Sequence, residues 1–456
     1  MNDTRQGLDL TQGRISTLLI KFAAPFVLAN LITSLYGVIG MLVVGRFTDR
    51  ETIAGVAIGA QVMNLTYPFI YGIGTGGTVI IGRCIGERNK PGGTKAVGSF
   101  FIVSAVLITV LTLVILGFRE LLLDALRMQA DARPSASRYI SISTIGIPFN
   151  IGYGMLSAVL RGMGNSRAPS IVAGISCAVN IALSFILVGA AGMAEAGVAI
   201  ATVTAQVVSL ILIALWLYII KLPFPFSVKR MKPDGKSVRF ITTVGLPMVL
   251  QELLISISFM IITNRVNTIS VEAVAAVGIV SRVFIIGFVM PNSIGSAVSA
   301  MTAQNLGAGR HDRAFNSLRW GITYALIISA LLFTFCAIWP ETVTSIFSTD
   351  KSVVRSAASY LRTFSFEAVL VSFVFNMNAY LSGYGKSKVA MFHTILSVVC
   401  VRVPFSILVT GLKEVGLDTR LSYLGITGPM ASAFSLIFCI AYIAWQRKQI
   451  RNGRLS

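Results

Sequence analysis

Twelve stretches of this 456-residue chain stay apolar long enough to cross a bilayer. A helix needs roughly 20 such residues to span about 30 Å of hydrocarbon. The stretches cover 15–45, 53–82, 96–118, 135–160, 168–191, 195–220, 238–264, 272–303, 315–339, 353–382, 389–411 and 421–445. Lipid offers no partner to a bare N–H or C=O, so each stretch must satisfy its own backbone as a helix. A soluble fold is excluded by composition. Of the residues, 55% are hydrophobic and 12% charged, with a mean hydropathy of +0.79; soluble domains carry about 25% charged residues. The expected fold is an all-α membrane protein with twelve transmembrane helices. Several stretches exceed 25 residues, which implies tilt, kinks or projection beyond the bilayer. Pro25, Pro68, Pro148, Pro247, Pro291 and Pro404 lie inside them and predict kinks. Residues 1–13 are polar and the first apolar stretch is far longer than a signal peptide's, so no cleavable signal is expected.

The net charge is +20. On a soluble protein that would suggest nucleic acid. Here the basic residues fall mainly in short loops between apolar spans, so they read as an orientation signal and no nucleic-acid partner is expected. An even number of spans puts both termini on one side. The segments on that side hold 24 of the 38 Lys and Arg but only 5 of the 18 acids, while the opposite side holds 11 of each. Both termini are therefore expected in the cytoplasm, in a multi-pass protein of a bacterial inner membrane.

The two halves repeat. "ETIAGVAIGAQV" from Glu51 parallels "EAVAAVGIVSRV" from Glu272, and "LRGMGNSR" from Leu160 parallels "LSGYGKSK" from Leu381, both at an offset of 221. Gly86 and Gly307 keep the same offset. One register held over more than a hundred residues signals duplication. Six spans per half means both halves enter the membrane in the same direction, which predicts two six-helix lobes related by a pseudo-two-fold axis along the membrane normal. The expected division is an N-lobe over 1–220, a basic cytoplasmic linker over 221–237 and a C-lobe over 238–456. Two matched bundles suit alternating access.

Five charged residues fall well inside spans, away from the span ends, all in the second half: Glu252, Arg282, Arg362, Glu367 and Arg402. A charge at the bilayer centre costs about 2.5 to 3.5 kcal/mol even on the lenient insertion scale, so such residues face inward and mark function by default. On a straight tenth helix Tyr360, Glu367 and Asn378 share one face to within about 20°, and Arg362 lies about 140° away. Arg402 on the next helix is the better partner for Glu367. Removal from water disfavours an ionised carboxylate and a neighbouring guanidinium favours it, so the pair suits a group that loads and releases an ion. Glu252, Glu367 and Arg402 are the expected ion-coupling residues. Arg282 and Arg362 are expected as structural buried charges. Gln251 gives Glu252 polar company. Gln251, Tyr360, Asn378, Asn180, Asn64, Met63 and Met290 are candidates for lining a substrate cavity.

The five cysteines are scattered, without a CxxC pair, and read as small core residues. His311 and His393 are far apart and read as solvated or structural. No metal site, cofactor or catalytic constellation is expected, and the chain is not expected to be an enzyme.

The spans, the six-plus-six repeat, "LYGVIGMLVVGRF", "LRGMGNSRAPSI" and "AQNLGAGRHDRA" together resemble the multidrug and toxic compound extrusion (MATE) family, and "YLRTFSFEAVL" and "VRVPFSIL" are similar to its DinF-like bacterial branch. The resemblance covers essentially the whole chain. It implies a cation-coupled antiporter that exports organic, often cationic and amphipathic, compounds through two six-helix lobes. Two positions depart from the family pattern: Gly40 and Ser184 stand where relatives commonly carry aspartates, while Asn180 is kept. A proton mechanism in the N-lobe does not carry over, and the C-lobe acids are left to couple the ion. The expected ion is a proton, with sodium as the alternative. A flippase for lipids or lipid-linked sugars on a related fold is the competing function, kept open by the three buried arginines. The expected partners are small organic substrates and the bilayer, with the protein a monomer.

Overall fold

A computed structural model of the chain describes residues 7–453, apart from 127, 221–223, 225–232 and 413, with the side chains of 34–38, 125 and 286 also outside the description. Most of the basic linker expected over 221–237 therefore lies outside the described residues.

The described chain is helical, as the apolar stretches require. In order the helices are α1 (Ile15–Phe47), α2 (Arg50–Asn64), α3 (Tyr67–Gly86), α4 (Lys90–Ala125), α5 (Arg133–Thr144), α6 (Ile147–Gly162), α7 (Arg167–Ser184), α8 (Ala194–Ile220), α9 (Gly235–Asn267), α10 (Val271–Gly307), α11 (His311–Ile338), α12 (Pro340–Ser345), α13 (Lys351–Phe364), α14 (Phe366–Gly383), α15 (Ser387–Leu396), α16 (Val403–Gly411) and α17 (Leu417–Arg451). Ten spans are long and apolar enough to cross a membrane, and the pairs α5–α6 and α13–α14 bring the total to twelve when each is counted as one bent span. In those pairs α5 and α6 meet at 47°, just before Pro148 where a kink is expected, and α13 and α14 meet at 41°, at a break without a proline. The predicted prolines fall into three settings. Pro25, Pro247 and Pro291 lie inside helices. Pro68 and Pro148 sit in the first turn of a helix, where a missing N–H is no loss, while Pro404 directly follows a wide-turn segment, Ser397–Arg402.

Packing divides the chain into two units. Unit 1 is Met1–Leu246 with Ala303–Arg313; unit 2 is Pro247–Thr302 with Ala314–Ser456. Unit 1 pairs α2 with α5, α3 with α6, and α8 with α5, α6 and α7. Val62, Leu111, Ile115, Leu123, Ile140 and Ile151 form one of its apolar clusters. Unit 2 gathers α13, α14 and α16 around α17, over a core that includes Val266, Phe284, Leu361, Phe364 and Leu424.

Polar side chains hold the ends. Asp49, Asp234 and Asp350 accept backbone N–H bonds from Thr52, Ser237 and Ser352 at helix starts. These bonds keep the three carboxyls below the usual carboxylate range. The caps are therefore fully made at neutral pH and are lost as pH falls through the depressed values.

The segment before α1 is strapped to unit 1. Leu8 N–H donates to Gly164 C=O at 3.0 Å. Leu10 N–H donates to Gln304 Oε1 at 3.2 Å, and Leu10 C=O accepts from Asn305 Nδ2 at 3.1 Å. Gln304 Nε2 donates to Gly162 C=O at 2.8 Å. Gly164 has φ +84°, and a methyl group there would overlap the Leu8 carbonyl. Gly164→Ala should therefore destabilise the protein by about 1–3 kcal/mol, read as a lower thermal midpoint in detergent. An unchanged midpoint would show that the strap does not hold.

Candidate functional site

The carboxylate of Glu367 is the centre of the candidate site. Glu367 follows the break at Ser365 and is the second residue of α14. The break has a local cause. Ser365 turns its hydroxyl onto the Arg362 carbonyl at 2.8 Å, and Ala368 N–H bonds Ser365 C=O, three residues back rather than four. A helix start exposes unpaired N–H groups and the positive end of the dipole, which favours an anion in its first turn. The sequence thus supplies part of the counter-charge by breaking the helix.

The rest comes from neighbouring helices. Ser432 on α17 donates its hydroxyl to Glu367 Oε1 at 2.9 Å. Oε2 is buried and has no hydrogen-bond partner among the described residues. The charge of Arg402 acts on both Glu367 and the Tyr360 hydroxyl. It does so without an ion pair: no N···O contact within 4 Å joins Arg402 to Glu367 among the described residues. The Arg402 guanidinium lies over the Phe259 ring, 4.0 Å from its centroid, and its Nε is unbonded. Glu367, Arg402 and Tyr360 are 5%, 8% and 6% exposed, so the charges are held away from water.

Arg402 also owes its place to a helix irregularity. It ends a wide-turn segment, Ser397–Arg402, between α15 and α16. Pro404 follows, with no N–H to give the preceding turn, and its ring crowds the carbonyl four residues back. Such widened turns recur at functional sites.

Close approach of α17 completes the enclosure. A Cβ on Gly425 would stand 2.7 Å from the Tyr360 carbonyl oxygen, and one on Gly428 would stand 2.9 Å from Phe364 Cε2 and 3.5 Å from the Glu367 carboxyl carbon. Small residues at both positions let α17 reach the break.

The other expected site residues are distributed as follows. Glu252 is half-buried on α9, and its carboxylate makes no hydrogen bond or ion pair with Glu367 or Arg402 among the described residues. Gln251 is buried with Oε1 unbonded. Asn378 does not join Glu367. Both lie on α14, but eleven residues, about 16 Å of helix rise, separate them, and Asn378 Oδ1 instead lies 2.8 Å from His393 Nε2, with Cys439 Sγ 3.3 Å from that nitrogen. His393 is fully buried. Arg282 and Arg362, expected as structural buried charges, are both exposed; Arg362 leaves α13 on the side away from Tyr360.

In unit 1, Asn180 donates to Thr202 Oγ1 at 3.3 Å and accepts from Ser184 at 3.2 Å, a neutral network. Gly40 has open space where a side chain would be. Met63 is packed against two apolar clusters, Asn64 is exposed at the end of α2, and Met290 is half-buried on α10. Sequence reasoning missed Ser432, because a serine in a span is ordinarily only a helix contact.

Comparison with known proteins places the whole chain. The MatE family profile matches residues 25–186 and again 247–408. The "Probable multidrug resistance protein YoeA" of Bacillus subtilis is 27% identical over 446 residues, 94% of each chain. The "Probable multidrug resistance protein YpnP" of the same organism is 27% identical over 427 residues, 91% of this chain and 94% of that one. A crystal structure of MATE in complex with MaL6 shares the fold, with a TM-score of 0.89 at 22% identity over 98% of this chain and 99% of that one.

The packing around the break can be tested directly. Gly425→Val should overpack the contact between α17 and α13 and destabilise by about 1–3 kcal/mol. Gly411→Val, at an exposed helix end with open space, should leave the thermal midpoint where it is. Equal midpoints for the two variants would contradict the enclosure described.

Proposed function

Because the chain belongs to the MatE family, whose profile covers both of its halves, we propose that it is a secondary antiporter that exports amphipathic organic compounds by alternating access. The family's members are transporters, and the chain is a multi-pass membrane transporter and not an enzyme. The finer reading is ours. Coupling runs through the second half, with Glu367 as the ion-carrying group, Arg402 as the charge that balances it, and Glu252 as a second, separate acid. Residues 1–220 and 238–456 act as the two moving lobes, joined by the basic segment 221–237, with both termini in the cytoplasm of a bacterial cell.

The observation that supports this most is the state of the Glu367 carboxylate. One oxygen is held by Ser432 and the other has no partner in a site closed to bulk water. An unpaired buried acceptor costs about 1–3 kcal/mol. A proton on Oε2 removes the charge and turns the stranded acceptor into an O–H donor. Arg402, held over Phe259 rather than locked onto the carboxylate, stabilises the ionised form when the proton leaves. The two states are thus each supported by something, as an exchangeable site requires. A rigid ion pair would hold only one of them.

Proteoliposomes provide the test. An outward-directed flux of a cationic amphipathic dye is expected under a pH gradient without sodium, and is expected to disappear in Glu367→Gln. Undiminished gradient-driven flux in that variant would remove Glu367 from the coupling. Flux that needs a sodium gradient and ignores pH would replace the proton by sodium at the same carboxylate.

A further inference from the structure

The acids of unit 1's described helices stand at or near helix ends, yet the unit holds an embedded cation. Arg161 lies in the last turn of α6, where its place in the sequence suggests a loop charge. A helical side chain leans back toward its own N-terminus. The Nη2 atom of Arg161 accordingly lies 3.6 Å from the point that a Cβ on Gly74 would occupy. Gly74 is about 18 Å along α3 from Gly86, at 1.5 Å per residue. The guanidinium therefore sits well inside the helical layer.

Its neighbours are tyrosines. The charge of Arg161 acts on the hydroxyls of Tyr153, Tyr71 and Tyr67. Tyr67 and Tyr71 are stacked, ring centroids 6.0 Å apart and 17° between planes. Tyr67 is 54% exposed. No carboxylate answers it: among the described residues the Arg161 guanidinium is in no ion pair. Other arginines of unit 1 are matched, Arg138 by Glu195 at 3.1 Å and Arg133 by Glu120 at 2.9 Å. A guanidinium inside a span without a counter-charge is expensive and points to a function.

The repeat makes the cluster informative. At the offset of 221, Arg161 corresponds to Ser382, Tyr153 to Val374, Tyr67 to Phe288 and Tyr71 to Asn292. Gly74 corresponds to Gly295. The glycine belongs to the shared frame; the cation and its three phenols belong to one half alone. They are not a requirement of the fold.

We propose that Arg161, Tyr67 and Tyr71 form a subsite for an aromatic compound bearing an oxyanion, that is a carboxylate, sulfonate or phosphate. The planar guanidinium fork holds the oxyanion through two parallel N–H bonds. The stacked tyrosines take the aromatic ring. The missing side chain of the buried Gly74 lets the Arg161 guanidinium pack against α3. The proposal rests on the exporter reading above and narrows its substrate class toward molecules with an acidic group on a flat ring.

Two probes with one ring and opposite charge test it: 1-pyrenesulfonate and 1-pyrenemethylammonium, bound to the full-length protein in phosphatidylcholine nanodiscs and read by fluorescence anisotropy against empty nanodiscs. The sulfonate should bind saturably, about tenfold or more tighter than the ammonium. Arg161→Gln should lose that advantage while ammonium binding stays the same. Arg161→Lys, which keeps the charge but not the fork, should fall between, and it decides the matter if the glutamine variant does not fold. The inference is overturned if the sulfonate binds no better than the ammonium, if neither saturates, or if the Arg161 variants bind the sulfonate as the wild type does. Proteoliposomes separate this from the exporter reading. Sulfonate bound through Arg161 but never moved by an ion gradient would sink export and leave the subsite standing. Gradient-driven sulfonate flux with a KM indifferent to Arg161 would do the reverse.

Discussion

An ionised group inside a helical layer must find its counter-charge within a few ångströms, and in unit 2 that requirement shapes three helices at once. Glu367 gains the positive end of α14 only because the chain breaks at Ser365. A carboxylate in a first turn gains about 0.3–1 kcal/mol when exposed and up to about 2 when partly buried. Arg402 is brought alongside by the widened turn before Pro404. Ser432 reaches the carboxylate because Gly425 and Gly428 let α17 approach. Each irregularity would weaken an ordinary helix bundle. Together they surround one acid with a dipole, a cation and a hydroxyl.

The two halves share a frame and differ in chemistry. At the offset of 221, Glu367 corresponds to Gly146, which also sits at a helix bend. Both halves have the bend, and only one carries the charge there. In unit 1 the side chain of Gln206 fills the space beside Gly146, and the Asn180 network is neutral. What unit 1 has instead is a cation, Arg161, with phenols around it. The duplicated frame carries different charges in its two halves: a buried acid near an arginine at the bend of one, a guanidinium among phenols in the other.

How much of this the sequence discloses depends on how loudly each feature departs from its surroundings. Apolar runs of 20 residues are long signals, so the helices were countable. Glu367 and Arg402 were legible because charges in such runs are rare. The bend at Ser365 was not, since "TFSFE" holds no proline and hydropathy is blind to a carbonyl captured by a serine. That bend resets how Tyr360 stands to Glu367, whereas Asn378, on the same helix as Glu367 but about 16 Å further along it, goes to His393. Pro429 lies inside α17 without having been read as a kink. Arg161 was misjudged for a different reason. Position in the chain placed its Cα near a loop, but the direction of a long side chain belongs to the coordinates.

The arrangement at Glu367 also bears on how an ion could move helices. Shifting a two-state equilibrium from 1:99 to 99:1 takes about 5.5 kcal/mol of difference between the states. No single contact here supplies that. Loss of the first-turn charge forfeits up to about 2 kcal/mol of dipole interaction, and satisfying or stranding Oε2 changes the balance by about 1–3 kcal/mol. A balancing arginine that must then find new partners contributes on the same scale as other charged hydrogen bonds, about 1.5–3 kcal/mol. Protonation forfeits the first of these while turning Oε2 from an acceptor into a donor, so the contributions do not simply add, but all of them act on the same joint. The carboxylate sits at the bend itself, so its charge state is felt by α13 and α14 where their angle is set. An acid placed mid-helix, with its backbone ladder intact on both sides, would feel the same ion and have nothing to turn.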